Sequence, residues 1–126
     1  MLSTENLVGF AATARPSEAR DFYEKALGLK LIEDSPHALV FAAGASTIRV
    51  QKVQAVVVSG YTVLGWQVGN IASTVRELSV RGVKFQRYEG LPQDESGVWR
   101  TPDGSGVAWF RDPDGNTLSI TEVAAA

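Results

Sequence analysis

The sequence reads ARDFYEKALGL from Ala19 to Leu29, and this stretch predicts the first helix of the fold. Pro16 stands just ahead of it and suits the first helical position, where its missing N–H would have no partner anyway. Gly28 suits the end of the helix because it tolerates a positive φ. The apolar residues between them recur at i, i+3, i+4, i+7 and i+8, which forms one stripe along a helix: Ala19, Phe22, Tyr23, Ala26 and Leu27.

Short strands are predicted on both sides of this helix. Leu7–Thr13, rich in small and β-branched residues, precedes it. Three strands follow it because Asp34-Ser35-Pro36 and Ala43-Gly44 give turn signals between apolar runs. These strands are Leu29–Glu33, Ala38–Ala42 and Ser46–Lys52. The first half of the chain therefore has the order β-α-β-β-β.

The same order returns in the second half. Tyr61–Val68 predicts a strand, and Asn70 predicts a helix N-cap because its side-chain oxygen can accept an unpaired helical N–H. The steps Gly28-Leu29-Lys30-Leu31 and Gly82-Val83-Lys84-Phe85 place the same helix-to-strand exit in both halves. The later strands are expected at Val83–Tyr88, Gly97–Thr101, Gly106–Arg111 and Thr117–Glu122.

Self-similarity at about half the chain length predicts two copies of one supersecondary unit. We expect a single domain over residues 1–126, with modules at about 7–53 and 61–122. The alternative is an unrelated α+β domain whose two halves match by chance.

The composition excludes several classes of function. A net charge of -2 gives no basic face for nucleic acid, and the absence of cysteine rules out disulfides and thiolate chemistry. No apolar run approaches the roughly 20 residues that span a bilayer, and the N-terminus lacks a signal-peptide pattern. We therefore expect a soluble, cytoplasmic protein that binds neither nucleic acid nor membrane.

Two stretches resemble a known family. ARDFYEKALGL is similar to the first helix of vicinal-oxygen-chelate proteins, whose signature is a Phe-Tyr pair followed by Leu-Gly. AWFRDPDGN, from Ala108 to Asn116, is similar to their final hairpin. The chain from about Leu7 to Glu122 thus resembles the glyoxalase, bleomycin-resistance and extradiol-dioxygenase superfamily. The resemblance implies an α+β fold of two βαβββ modules whose curved sheets form a cleft.

Both signatures also have a structural interpretation. Phe22 and Tyr23 are core residues of the helical stripe, and Asp112-Pro113-Asp114-Gly115 is a turn in which Pro presets φ and Gly tolerates a positive φ. Neither stretch is a catalytic motif. The fold hosts lyases, isomerases, dioxygenases, thiol transferases and drug binders, so it does not select a reaction.

Metal-using members of the family carry His, Glu or Gln at four points that face the cleft. The resemblance places these points at Val8, Arg49, Val63 and Ser119. Valine offers no lone pair, and a guanidinium repels a metal ion. With only one histidine and no cysteine in the chain, we expect neither a metal site nor a resident cofactor.

Strand alternation indicates which side chains share a face with those four points. They are apolar groups, hydroxyls and amides around Arg49, a mixture that suits a neutral or anionic organic molecule. Arg49 could pair with a ligand carboxylate, could be an ordinary exposed residue, or could be satisfied by Glu33. Trp99 and Trp109 either reach the cleft or pack elsewhere, whereas Trp66 is expected in the core. The candidate ligand-binding residues are Phe10, Arg49, Gln51, Gln67, Trp99, Trp109 and Ser119.

Three further features have two interpretations each. His37 is the only side chain whose ordinary pKa suits acid–base catalysis near neutrality, so it is the candidate catalytic residue; the alternative is a turn or surface histidine. Tyr88–Ser96 is either a flap over the cleft or a solvated loop. Val53–Val58 is unusually apolar for a linker, so we expect a strand extension or a subunit contact in a homodimer.

The leading prediction is a metal-independent protein that binds a small, planar or anionic organic ligand and sequesters it, like the bleomycin- and antibiotic-resistance branch of the family. The alternative is a glyoxalase-like lyase or isomerase, or a dioxygenase. Such an enzyme would use a metal held by atypical ligands, or metal-free acid–base catalysis by His37 or a cleft carboxylate, with Arg49 steadying negative charge. A third prediction is a partner-binding module that uses Val53–Val58.

Overall fold

The computed structural model of the protein describes residues 1–125 and has two four-stranded mixed sheets with short helical segments. Each sheet belongs to a separate compact unit. The first unit comprises Met1–Val58 and Pro113–Asn116, and the second comprises Ser59–Asp112 and the residues from Thr117 onward. The predicted α+β class and its two similar modules are confirmed. Within residues 1–125, no helix is long and apolar enough to cross a membrane.

The first unit follows the predicted β-α-β-β-β order. Its sheet has the spatial order β1-β4-β3-β2, with β1 parallel to β4 and the other pairs antiparallel. A bulge between Leu31 and Glu33 shifts the register of β2 against β3. The elements are β1 (Val8–Thr13), α1 (Pro16–Asp21), β2 (Lys30–Asp34), β3 (Ala38–Ala43) and β4 (Ser46–Lys52).

The predicted first helix changes its winding before it ends. After α1 the chain continues as a π-helical turn, Phe22–Ala26, in which the Leu27 amide donates to the Phe22 carbonyl at 3.0 Å. Gly28 then takes a φ of 72°, as expected of a residue that ends a helix. The Tyr23 ring is fully buried and lies 5.5 Å from the Phe41 ring, which fixes the helix on one face of the sheet. The core interpretation of Tyr23 is therefore confirmed.

The second unit has the sheet order β5-β8-β7-β6, with β5 parallel to β8. Its helix begins at the predicted cap, because the Asn70 side-chain oxygen accepts a hydrogen bond from the Ser73 amide at 2.9 Å. The elements are β5 (Leu64–Gln67), α2 (Ile71–Val80), β6 (Trp99–Arg100), β7 (Gly106–Arg111) and β8 (Thr117–Glu122).

The prediction of a strand at Val83–Tyr88 is wrong. Only an isolated bridge joins Phe85 to Phe110. The reason is the side chain of Gln93, whose amide nitrogen donates to the carbonyls of Gln86 at 2.9 Å and Gly97 at 2.8 Å. Its amide oxygen accepts from the Tyr88 amide at 2.7 Å. One side chain thus makes hydrogen bonds that a neighbouring strand would otherwise make. The strands predicted at Tyr61–Val68 and Gly97–Thr101 are also shorter than expected, as β5 and β6.

The final turn also makes hydrogen bonds to the end of β1. Pro113–Asn116 belongs to the first unit, where the Asp114 carboxylate accepts hydrogen bonds from the Thr13 hydroxyl at 2.5 Å and the Ala14 amide at 2.9 Å. The Asn116 side chain donates to the Ala12 carbonyl at 2.9 Å. These bonds satisfy backbone and hydroxyl groups at the end of β1, where the sheet ladder stops. The turn interpretation was right but incomplete.

The apolar segment Val53–Val58 is not a strand extension. β4 ends at Lys52, and the Val53 amide makes one further bond, to the Thr13 carbonyl at 2.9 Å. Beyond that point the segment has no ladder partner within residues 1–125, and Val57 is 90% exposed. A subunit contact remains a prediction.

Candidate ligand-binding site

Within the described residues, α2 covers one face of the second sheet, and no helix of the second unit covers the other face. The Ile71 side chain of α2 lies 3.2 Å from the point where a Cβ on Gly106 would stand, which marks the helix side. Because side chains alternate along a strand, Trp109 and Arg111 of β7 point to the opposite side. We call this side the helix-free face of the second sheet.

The strand register places four of the candidate residues on this face. Trp109 pairs with Ser119, and Ser119 pairs with Gly65 on its other side. Gln67 and Val107 pair with Thr121 from opposite sides. Trp99 pairs with Val107 and so shares the same face. The candidates brought together are Gln67, Trp99, Trp109 and Ser119.

Three aromatic rings meet on the helix-free face of the second sheet. The indoles of Trp99 and Trp109 stack with centroids 6.3 Å apart and an interplanar angle of 28°. Tyr88 meets Trp109 edge to face at 5.4 Å and 88°. Both indoles are only half-buried, so part of each ring remains accessible. We call Tyr88, Trp99 and Trp109 the aromatic cluster; it offers ring surface on which a planar group can stack.

Hydroxyl groups lie beside the aromatic cluster. Ser119 is 7% exposed and Thr117 is 8% exposed, and both are on β8. A Cβ at Gly65 would stand 3.0 Å from the Ser119 hydroxyl oxygen, which is tighter than ordinary contact. Glycine at this position therefore leaves room beside Ser119. The face combines apolar ring surface with a few polar groups, as small-molecule sites commonly do.

The loop that carries Tyr88 is held by its own hydrogen bonds. The Arg87 guanidinium donates to the carbonyls of Glu95 at 3.3 Å and Gln93 at 3.2 Å. The Asp94 carboxylate accepts from the amides of Ser96 and Val98, each at 2.9 Å. These bonds give the segment a defined shape and hold Tyr88 against Trp109. Whether it also acts as a flap remains a prediction.

Asp94 gives this loop a pH dependence. Partial burial alone would raise its pKa, but the hydrogen bonds donated by Val98, Ser96 and Gly97 outweigh burial and lower the pKa below its ordinary value of 3.8. A carboxylate with a depressed folded pKa stabilises the fold above its unfolded pKa, and that stabilisation is lost as the pH falls through the folded value. Between about pH 6 and about pH 2, urea midpoints should therefore fall less for Asp94→Ala than for the unmodified protein. Parallel midpoint curves would contradict this role.

The first sheet also has a helix-free face, opposite the side on which Tyr23 packs. Phe10 and Val40 flank Arg49 from neighbouring strands, and Gln51 shares their face two residues along β4. Phe10 is 52% exposed, and Arg49 is half-buried. Arg49 forms no ion pair with Glu33 or with any other described residue of the chain. Phe10, Arg49 and Gln51 thus form a second candidate group, within the first unit.

His37 lies in the exposed turn before β3. Its amide donates to the Ser35 hydroxyl at 3.2 Å, and its carbonyl accepts from the Lys52 amide at 2.8 Å. The residue is exposed, and its backbone serves the turn. This position agrees with the turn interpretation, and a catalytic role of His37 remains a prediction.

Trp66 lies on the helix side of the second sheet. This position was expected because Trp66 stands two residues after buried Leu64 on the same strand and so shares its face. Its ring stacks on Phe110 with centroids 6.5 Å apart and an interplanar angle of 18°. The three tryptophans therefore divide between the two faces, with only Trp99 and Trp109 in the aromatic cluster.

The residues at the four matched metal positions do not fit a divalent ion. Val8 and Val63 have no donor atom, Arg49 is a cation, and Ser119 offers a single neutral hydroxyl. Among the described residues, no three His, Cys, Asp or Glu side chains are grouped so that they could hold a metal.

A concavity lies on the helix side of the second unit. This shallow groove has a volume of about 600 Å³. Its lining combines apolar residues with three cations and one carboxylate, and it contains no member of the aromatic cluster. The lining residues are Val75, Arg76, Ser79, Val80, Val83, Lys84, Phe85, Arg87, Glu95 and Ser96.

Comparisons with known proteins agree with this fold. A crystal structure of a member of the glyoxalase/bleomycin resistance protein/dioxygenase superfamily from Sphaerobacter thermophilus matches with a TM-score of 0.74 at 19% identity, covering 98% of this chain and 100% of that one. An antibiotic-binding protein from Streptomyces matches with a TM-score of 0.68 at 18% identity, covering 98% and 99%. Lactoylglutathione lyase from Agrobacterium tumefaciens matches with a TM-score of 0.66 at 19% identity, covering 94% and 93%. These identities support a common fold and no more.

No curated protein matches the sequence. The sequence model of one family does, over residues 10–120, which is most of the chain. That range includes the helix stretch and the final hairpin from which the resemblance was first drawn. The chain belongs to the glyoxalase/bleomycin resistance protein/dioxygenase superfamily.

Proposed function

We propose that this protein binds a planar organic molecule on the helix-free face of its second sheet and sequesters it without a metal ion. The aromatic cluster carries the proposal. Two stacked, half-buried indoles, with a tyrosine ring nearly perpendicular to one of them, give a partly exposed aromatic surface. A ligand ring that stacks there gains apolar burial together with a preferred ring–ring geometry.

The polar groups beside the cluster orient the ligand. Ser119 lies directly across the sheet from Trp109, and Thr121 lies across from Val107. Hydroxyls at these points can donate or accept a hydrogen bond at the edge of a stacked ring. Apolar area then supplies affinity, and the hydroxyls with Gln67 select among ligands of similar shape.

Sequestration requires no reaction at the site. A binding protein lowers the concentration of free ligand by mass action, and its stability rises when the ligand is present. A solved Streptomyces protein of the same fold is described as an antibiotic-binding protein, which supports a binding role. We propose the same kind of role here, in a cytoplasmic homodimer whose subunit contact includes the exposed Val57 and Val58.

The enzymatic alternative is a glyoxalase-like lyase or isomerase, or a dioxygenase. One solved lyase shares the fold, but it shares only 19% of the sequence. The metal-using form of this alternative needs ligands outside the four matched positions, and it predicts that ligand binding depends on a metal. The metal-free form would use acid–base catalysis by His37, with Arg49 steadying negative charge.

Thermal unfolding in the presence of ligands tests the proposal. Chelator-treated protein is screened against planar antibiotics and aromatic carboxylates, alone and with zinc, nickel, manganese or iron(II). A ligand at about a hundred times its Kd should raise the midpoint by roughly 10 °C, because it adds about 2.7 kcal/mol to the stability of a chain of this size. The shift should be the same with and without metal. A shift seen only with a metal would support the enzyme instead.

A further inference from the structure

We infer that Arg111 sets the charge of the ligand, so that the site prefers a planar aromatic carboxylate to a neutral or cationic ring. The inference rests on the proposed function and names the ligand class of that same site. Arg111 stands at the end of β7, two residues beyond Trp109 and on the same face. Its sequence neighbours Phe110 and Asp112 are buried on the other side, whereas Arg111 is exposed.

Distance along the strand places the guanidinium near the edge of a stacked ring. Two residues of extended chain span about 6.6 Å, a length that the flexible arginine side chain can cover. A carboxylate on the edge of a ring stacked on Trp109 therefore falls within reach of Arg111. Guanidinium and carboxylate can then form two parallel hydrogen bonds. Thr117, which pairs with Arg111 across the sheet, places a hydroxyl beside the same point.

The charge of Arg111 is available to a ligand. Two other arginines of the second unit are engaged in ion pairs, Arg100 with Glu122 at 3.5 Å and Arg81 with Glu77 at 3.1 Å. Arg111 forms no ion pair and no side-chain hydrogen bond within residues 1–125. A ligand carboxylate would thus not have to displace an existing anionic partner from this chain.

Arg111 also reverses the ligand charge that the aromatic cluster would otherwise favour. The face of an indole attracts positive charge, so stacking on Trp109 alone would favour planar cations. A guanidinium beside the same ring repels a ligand cation and attracts a ligand anion. Ring stacking and charge selection are therefore separate properties, carried by different residues, and substitutions can separate them.

Calorimetric titration with three ligands of the same shape tests the inference. The ligands are naphthoate, naphthamide and naphthylmethylammonium, and the proteins are the unmodified chain, Arg111→Gln, Arg111→Lys and Arg76→Gln. Arg76 is exposed on α2, on the other side of the sheet, so its loss matches the change in net charge without touching the site. Thermal unfolding without ligand establishes that every variant folds.

The unmodified protein should bind naphthoate about tenfold more tightly than naphthamide, the effect of one exposed charge-assisted contact. Arg111→Gln should abolish this difference, leave naphthamide affinity unchanged and improve binding of the ammonium. Arg111→Lys should keep part of the preference, since lysine keeps the charge but not the two-point geometry. Arg76→Gln should keep all of it.

Two outcomes overturn the inference in different ways. If naphthamide binds but naphthoate binds no better, or if the preference survives in Arg111→Gln, then Arg111 does not select the ligand although ring binding stands. If none of the three compounds binds the unmodified protein, the stacking function fails together with the inference.

Discussion

Replacing Trp109 by alanine should weaken binding of a planar ligand roughly 30- to 150-fold, which corresponds to about 2–3 kcal/mol. Trp109 is the centre of the aromatic cluster, since it contacts both Trp99 and Tyr88. Removing its indole deletes the stacking surface and leaves the two remaining rings without their common neighbour. Trp99→Ala should cause a smaller loss, because one indole and the tyrosine edge remain. The Kd of the best ligand from the thermal screen, measured by calorimetry, gives the comparison.

Trp66→Phe is the matched control for Trp109→Ala. Trp66 is also a half-buried indole on a strand of the second sheet, but its ring stacks on Phe110 on the helix side. Phenylalanine preserves most of that packing, so the ligand affinity should not change. Equal losses in the two variants would mean that the ligand does not distinguish the two faces, and the assignment of the site would fail.

Replacing Tyr23 by alanine should lower the free energy of unfolding by about 3–5 kcal/mol, the range for emptying a large buried aromatic site. Tyr23 is fully buried and packs on Phe41 of β3. Removing its ring would therefore lose this packing and leave a cavity. Urea unfolding followed by far-UV circular dichroism measures the change. Such a loss is a large fraction of the stability of an ordinary domain.

The variants Phe22→Ala and Tyr23→Phe serve as controls for that prediction. Phe22 is half-buried and meets Tyr23 edge to face at 5.4 Å, so Phe22→Ala should cost clearly less than Tyr23→Ala. Tyr23→Phe keeps the ring and should retain most of the stability. Should Tyr23→Ala instead leave stability intact while abolishing ligand binding, the Phe-Tyr pair would be functional rather than structural.

The predictions from sequence were correct where the structure depends on residues that are close together in the chain. The apolar stripe around Tyr23 and the cap at Asn70 depend on neighbours within a few residues, and both were placed correctly. Val83–Tyr88 had the residues of a strand, but the side chain of Gln93, in the loop that follows, took over the hydrogen bonds of its partner. The hydrogen bonds of Asp114 to Thr13 and Ala14 join residues about a hundred positions apart. No local pattern reveals contacts of that kind.

The candidate site was predicted only in part for the same reason. Alternation along β1, β4, β5 and β8 identified which side chains share a face, since parity is a local property. The positions of Trp99 and Trp109 depended on the register of β6 and β7, which the pairing of Trp99 with Val107 establishes. Tyr88 and Arg111 were not among the candidates. Tyr88 reaches the cluster through a loop, but the spacing of Arg111 from Trp109 by two residues could have indicated it.

A crystal structure of chelator-treated protein with its best planar ligand would locate the binding site. We expect the ligand ring to stack on Trp109, with its polar edge towards Ser119 and Arg111 and no metal within bonding distance. A ligand held elsewhere, or one coordinated to a metal ion by side chains of this protein, would contradict it.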